Sequence, residues 1–187
     1  PSASSAASDV YKRQQENNLG PVVKLSAAEF IINQMNKALD KGAKKMIDEN
    51  KFHFPKEHKN YLIPQVLTNV SHEMDFMTEE TFGPCVGIMK VSDENEAVKL
   101  MNDSPYGLTA SIWTNDVEIA EKIGNQVQTG TFFMNRCDYL DPALSWTGVK
   151  ETGKGCSLSE IAYEKLTAPK SFHSVSYTHL TLPTKQM

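Results

Sequence analysis

Between residues 61 and 135, short apolar runs of strand length alternate with stretches whose apolar residues recur at helical spacing. Residues 61–70 and 85–91 read as strands. Asp93 then caps a helix carrying Ala97, Val98, Leu100 and Met101, and residues 109–114 form the next strand. The scheme repeats: Asp116 opens a helix through Ile119, Ala120 and Ile123, and residues 131–135 form a further strand. Strands separated by helices are carried past one another in the same direction, so the expected fold is α/β, a largely parallel sheet flanked by helices. Upstream, Ser26-x-x-Glu29 reads as a capping box for a helix over 27–41, with Ala28, Ile31, Ile32, Met35, Ala38 and Leu39 as its apolar stripe and Gly42 as its stop. Residues 43–47 read as a short strand. From Arg136 to Cys156 no period holds, and a loop of that length in a compact domain points to function more than to filler. Ser157-Leu158-Ser159-Glu160 offers a second capping box for a helix to Leu166, and Pro169 leads into an extended tail.

A chain of 187 residues, 40% hydrophobic, is long enough to bury one sizeable core and reads as one domain. Its net charge of -4, with no long basic run, argues against nucleic acid as a partner. No apolar stretch approaches the ~18 residues that would cross a bilayer, and no signal-peptide core is present, so the reading is a soluble, cytoplasmic protein with no membrane partner. Cys85, Cys137 and Cys156, odd in number and in three contexts, suggest a reducing compartment and no disulfide framework. His53, His58, His72, His173 and His179 are scattered, none at zinc-site spacing from a cysteine, so no metal is expected. The two ends differ from the middle: residues 1–14 and 174–187 resemble translated library-linker sequence, which leaves 15–173 as native domain, with the native protein extending past both ends.

Glu79-Glu80-Thr81-Phe82-Gly83-Pro84 stands between two strands, where α/β proteins place ligand-binding loops. A carboxylate there can accept from two vicinal ribose hydroxyls at once, an aromatic offers a flat apolar surface, and Gly-Pro fixes a turn. Together with Asn102-Asp103-Ser104-Pro105-Tyr106-Gly107-Leu108-Thr109-Ala110-Ser111, this motif resembles the NAD(P)-dependent aldehyde dehydrogenase superfamily from about Gly20 to His173. The second run is read as a turn between helix and strand, architecture and not chemistry.

The resemblance implies that Glu80 binds the nicotinamide ribose of NAD or NADP and that Phe82 packs beside the nicotinamide, with Glu79 solvated or structural. It implies that Trp146 lines the aldehyde tunnel. Asn135, at the strand end that opens the long loop, is the second candidate substrate contact, and Tyr139 and Leu144 could share the wall. The chain has Trp146-Thr147-Gly148 where the family commonly has aromatic-Gly-Gly, which bears on substrate identity. By the family pattern a cysteine thiolate attacks the aldehyde and the resulting thioester is hydrolysed by a glutamate-activated water; no cysteine of this chain has that nucleophile's context. The expected protein is therefore the C-terminal part of an aldehyde dehydrogenase catalytic domain, inactive alone. Its parent is expected to be a homo-oligomer, dimer or tetramer, because residues 168–173 match the start of the strand that joins subunits. An acylating enzyme that passes the acyl group to coenzyme A, and a non-catalytic relative retaining the fold for binding, are the alternatives.

Overall fold

The computed structural model describes residues 19–52, 59–137 and 139–176. Residues 1–14, residues 177–187 of the tail, and His53, His58 and His179 lie outside the described residues. The chain divides into two compact units, residues 1–100 and 101–187.

The first unit is built on helix α1 (Leu25–Asp40), which buries Ala28, Ile31, Gln34, Met35 and Ala38 on one face. Ile32, expected on that stripe, is exposed. The expected capping box does not form: the helix starts at Leu25, so Ser26 falls inside its first turn, and the N-cap is Lys24 with no side-chain bond. The other end closes as the glycine implies. Gly42 takes φ +101, its N–H bonds Leu39 O at 2.9 Å, and the Ala43 N–H reaches Ala38 O at 3.0 Å, the paired bonds of a Schellman motif.

Strand β1 (Lys44–Lys45) pairs antiparallel with β2 (Gln65–Thr68), and β2 pairs parallel with β3 (Cys85–Ile88). The β2 ladder is shorter than the apolar run over 61–70 because Pro64 offers no N–H and Asn69 turns to φ +57. Gln65, only 2% exposed, puts an amide into the interior and uses it to extend the sheet. Its Oε1 accepts from Ile47 N at 2.9 Å and its Nε2 donates to Ile47 O at 3.1 Å. A short helix α2 (Asp75–Thr78), not expected from the sequence, lies between β2 and β3 and sits so close to β3 that a Cβ on Gly87 would run into Met77. Ile31, Met35, Ala38, Ala43, Leu67, Val70, Met74 and Phe76 form the core. Helix α3 (Glu94–Asn102) starts as expected: Asp93 Oδ1 accepts from Glu96 N at 2.9 Å. The Glu96 carboxylate accepts in return from the Ser92 hydroxyl and backbone N–H, which hold its carboxyl below the usual range.

In the second unit β4 (Thr109–Ile112) pairs parallel with β5 (Thr131–Met134), with α4 (Val117–Gly124) between them in the chain. Asp116 caps α4 by accepting from Ile119 N at 3.0 Å, and Ala120, Ile123, Val127 and Phe133 are buried. The stretch read as a loop without period carries β6 (Trp146–Thr147), antiparallel to β7 (Cys156–Ser157), and a 3-10 turn at Lys150–Thr152. The second expected capping box fails as well. Ser157 lies in β7, and Leu158 and Ser159, which would form the first helical turn, stand at φ +64 and +58 and not in right-handed helical backbone, so helix α5 (Ile161–Leu166) begins only after Glu160. The fold is α/β, with four-residue parallel ladders and two-residue antiparallel ones; the described strands form three sheets in place of the one expected. No helix among the described residues is long and apolar enough to cross a membrane.

Replacing Gln65 by Leu should leave the half-buried Ile47 N–H and C=O without their side-chain partner and lower stability by about 1–3 kcal/mol, read by urea unfolding. A loss within error would show that the amide is not holding the ladder.

Candidate functional site

The loop from α2 to β3 is fastened to α1 at alternate residues. Gln34 is 3% exposed, although it lies on a helical face otherwise apolar. Its Oε1 accepts from Thr81 Oγ1 at 2.8 Å, and its Nε2 reaches Glu79 Oε2 at 3.5 Å, the long end of a hydrogen bond. Two residues on, Gly83 is so near Ile31 that a Cβ would overlap Ile31 Cδ1. Gly83 N donates to Thr81 O at 2.8 Å, closing a tight turn, and Pro84 O accepts from Gln65 N at 2.9 Å, which leads the chain into β3. Thr81 and Gly83 are thus held against α1, while Glu79, reached only by the long Gln34 contact, stays exposed. Glu80 and Phe82, between them, are exposed, and Phe82 keeps 84% of its surface bare. The glycine is required here for close approach; Lys37 also meets Asp75 at 3.2 Å, and Lys41 Nζ donates to Glu73 O.

The Asn102–Ser111 run is bound up in backbone. Asn102 Oδ1 accepts from Gln128 N at 2.7 Å and its Nδ2 donates to Gln126 O at 2.8 Å. Lys150 Nζ donates to Asn102 O at 2.7 Å and to Ser104 O at 2.9 Å, satisfying carbonyls at the end of α3. Gly107 N donates to Thr152 Oγ1 at 2.8 Å, and Gly107 O accepts from Gly130 N and Val149 N. A Cβ on Gly107 would meet Gln128 O and Val149, so this glycine also serves close approach.

A cavity of about 220 Å³ lies beside β5, its wall including Phe133, Arg136, Tyr139, Asp141, Leu144 and Trp146. Three residues considered for a substrate wall, Tyr139, Leu144 and Trp146, therefore share one cavity. Asn135 is placed differently. It ends β5 at φ +54; Thr114 N donates to its Oδ1 at 2.9 Å and its Nδ2 donates to Thr114 O at 2.7 Å, so both ends of the amide are taken up by backbone. Thr147, at the departure from the aromatic-Gly-Gly pattern, donates from Oγ1 to Gly155 O at 2.7 Å and ties β6 to the end of its loop.

The cysteines fall in unremarkable places. Cys85 packs against the core of the first unit, and burial pushes its thiol up to about 11, so it is protonated at neutral pH. Cys156 lies in β7, four residues and a left-handed turn before α5, not at the helix end where the sequence put it. Cys137 is exposed, and all three thiols are free. Among the described residues no group of three or more His, Cys, Asp or Glu side chains is placed to hold a metal ion.

Gln34 and Arg136 had no role in the sequence reading. The signal for Gln34 was a lone amide one turn from Ile31 on an apolar stripe; for Arg136 it was a cation directly after a strand end.

The sequence model of the Aldehyde dehydrogenase family matches residues 5–172, and the chain belongs to that family. It is 35% identical over 147 residues to the succinate semialdehyde dehydrogenase [NAD(P)+] Sad of Escherichia coli, covering 79% of this chain and 31% of that protein. It is 30% identical over 154 residues to the 3-sulfolactaldehyde dehydrogenase of Priestia aryabhattai, again covering 82% of this chain and 31% of the relative. A succinic semialdehyde dehydrogenase from Streptococcus pyogenes, solved with NADP+ as the cofactor, superposes with a TM-score of 0.69 at 30% identity, over 80% of this chain and 32% of the other. The chain spans about a third of the length of the relatives it matches.

Two outcomes test this geometry. Gly83→Ala should force Ile31 or the loop to move and cost about 1–3 kcal/mol, with faster amide exchange confined to the loop and α1; unchanged exchange there would contradict the close contact. Alkylation by iodoacetamide, followed by mass spectrometry of each cysteine peptide, should mark Cys137 first and Cys85 last. Because burial raises the Cys85 pKa from 9.0 to about 11, the folded chain holds that proton more tightly than the unfolded chain. The stability from this group is present in full below pH 9 and is lost as pH rises toward 11. Labelling of folded Cys85 that rises through pH 9 would contradict the assigned burial.

Proposed function

We propose that the complete protein oxidises an aldehyde to a carboxylic acid with NAD or NADP, and that this chain supplies part of the cofactor grip and part of the aldehyde wall. The observation that supports it is the fastening of Thr81 and Gly83 to α1 in a loop that leaves the Glu80 carboxylate and the Phe82 ring exposed. That pair fits a nicotinamide riboside. Glu80 offers acceptor oxygens to two vicinal hydroxyls, and Phe82 offers a bare apolar face large enough to lie against a ring. When bound, the nicotinamide supplies the hydride acceptor for the oxidation. The role of Glu80 is to hold the ribose, that of Phe82 to fix the ring plane, and that of Trp146, with Tyr139 and Leu144, to shape the approach of the aldehyde.

Asn135 is assigned to anchoring the end of β5, since its amide is engaged with Thr114. The nucleophile and the general base are assigned to no residue of this chain: Cys85 is held as a thiol, and neither Cys137 nor Cys156 has a base paired with it among the described residues. The reading extends to a homo-oligomeric cytoplasmic enzyme with no nucleic-acid or membrane partner, consistent with the net charge of -4 and three free cysteines.

The test is Glu80→Gln in the complete protein. Loss of a charge-assisted bond to the ribose, about 1.5–3 kcal/mol, predicts a fall in kcat/KM of about tenfold to hundredfold with weaker NAD(P) binding. Kinetics and cofactor affinity equal to the parent's would remove the ribose role from Glu80.

A further inference from the structure

We propose that Arg136 makes the cavity beside β5 selective for short aldehydes that carry an oxyanion, such as a carboxylate or sulfonate, at the end remote from the carbonyl. The inference rests on reading that cavity as the aldehyde wall. Among its described lining residues Arg136 is the single cation, set among Phe133, Tyr139, Leu144 and Trp146. Its guanidinium carbon lies 3.8 Å above the Tyr139 ring centroid. A guanidinium over an aromatic face is steadied by the ring, and its forked N–H donors match an oxyanion through two parallel bonds. The Asp141 carboxylate shares the cavity and keeps its charge, but its Oδ1 accepts from Ala143 N at 2.9 Å and closes a turn, which fixes its position in the wall. Among the described residues no acceptor takes a hydrogen bond from Arg136. Size sets the other limit. At about 220 Å³ the space falls below the ~300 Å³ at which pockets begin to hold drug-sized ligands, which suits a chain of a few carbons.

The experiment compares succinate semialdehyde with butanal, two four-carbon aldehydes that differ at the far end, in steady-state oxidation by the complete protein. The parent should favour the acid aldehyde in kcat/KM by about tenfold or more, as expected for a charge-assisted contact. Arg136→Gln should reduce the acid-to-neutral ratio by about that factor, acting mainly through KM for the acid aldehyde, and Arg136→Lys should restore part of it. A parent that prefers butanal, or an Arg136→Gln variant that loses equally on both substrates, overturns the inference and leaves the dehydrogenase reading standing. Oxidation of neither aldehyde by the parent overturns the dehydrogenase reading and this inference with it.

Discussion

How near the loop of residues 79–83 can come to helix α1 governs the first unit. Ile31 is 1% exposed and belongs to the core, yet its outer methyl lies where a Cβ of residue 83 would be. Only a glycine permits that distance, and at that distance Gln34 can reach Thr81. The loop is therefore positioned by the buried face of a helix some fifty residues earlier in the chain, not by its own turn alone. Glu80 and Phe82 are left exposed on a loop whose Thr81 and Gly83 are held against the helix.

The order of elements was legible because it depends on local signals. Asp93 and Asp116 cap the helices assigned to them, and Gly42 ends α1. Each of these needs only a few adjacent residues to act. Both Ser-x-x-Glu capping boxes failed for a shared reason: the pattern names residue types but not the backbone that must present them. Ser26 was drawn into a helix that began early, and Ser157 was held in a strand followed by left-handed backbone. The β6/β7 pair escaped notice because two-residue strands carry no readable alternation, and α2 because four residues make little more than one helical turn. Within the candidate site the sequence singled out Glu80 and Phe82, and the structure leaves both exposed. What holds them could not be read, since Gln34 and Ile31 meet the loop only after the chain has folded back on itself.

Amide side chains standing in for backbone recur through both units. Gln65 adds a rung beside Ile47, Asn69 Nδ2 donates to Gly42 O at 2.7 Å, Asn102 bridges Gln126 and Gln128, and Asn135 bonds both polar groups of Thr114. Asn69 and Asn135 share a further property, each lying just past the end of a parallel strand in left-handed backbone, at φ +57 and +54. Asparagine suits such a place, because it tolerates that conformation and brings a donor and an acceptor of its own. The device has a chemical weakness. Hydrolysis of one of these amides to a carboxylate leaves the acceptor in place but turns the donor into a second acceptor, aimed at the carbonyl of Gly42, Gln126 or Thr114. An attraction becomes a repulsion between oxygens at the strand ends and turns that the amides hold. Slow deamidation would therefore loosen the chain first at these joints, while the packed face of α1 remained intact.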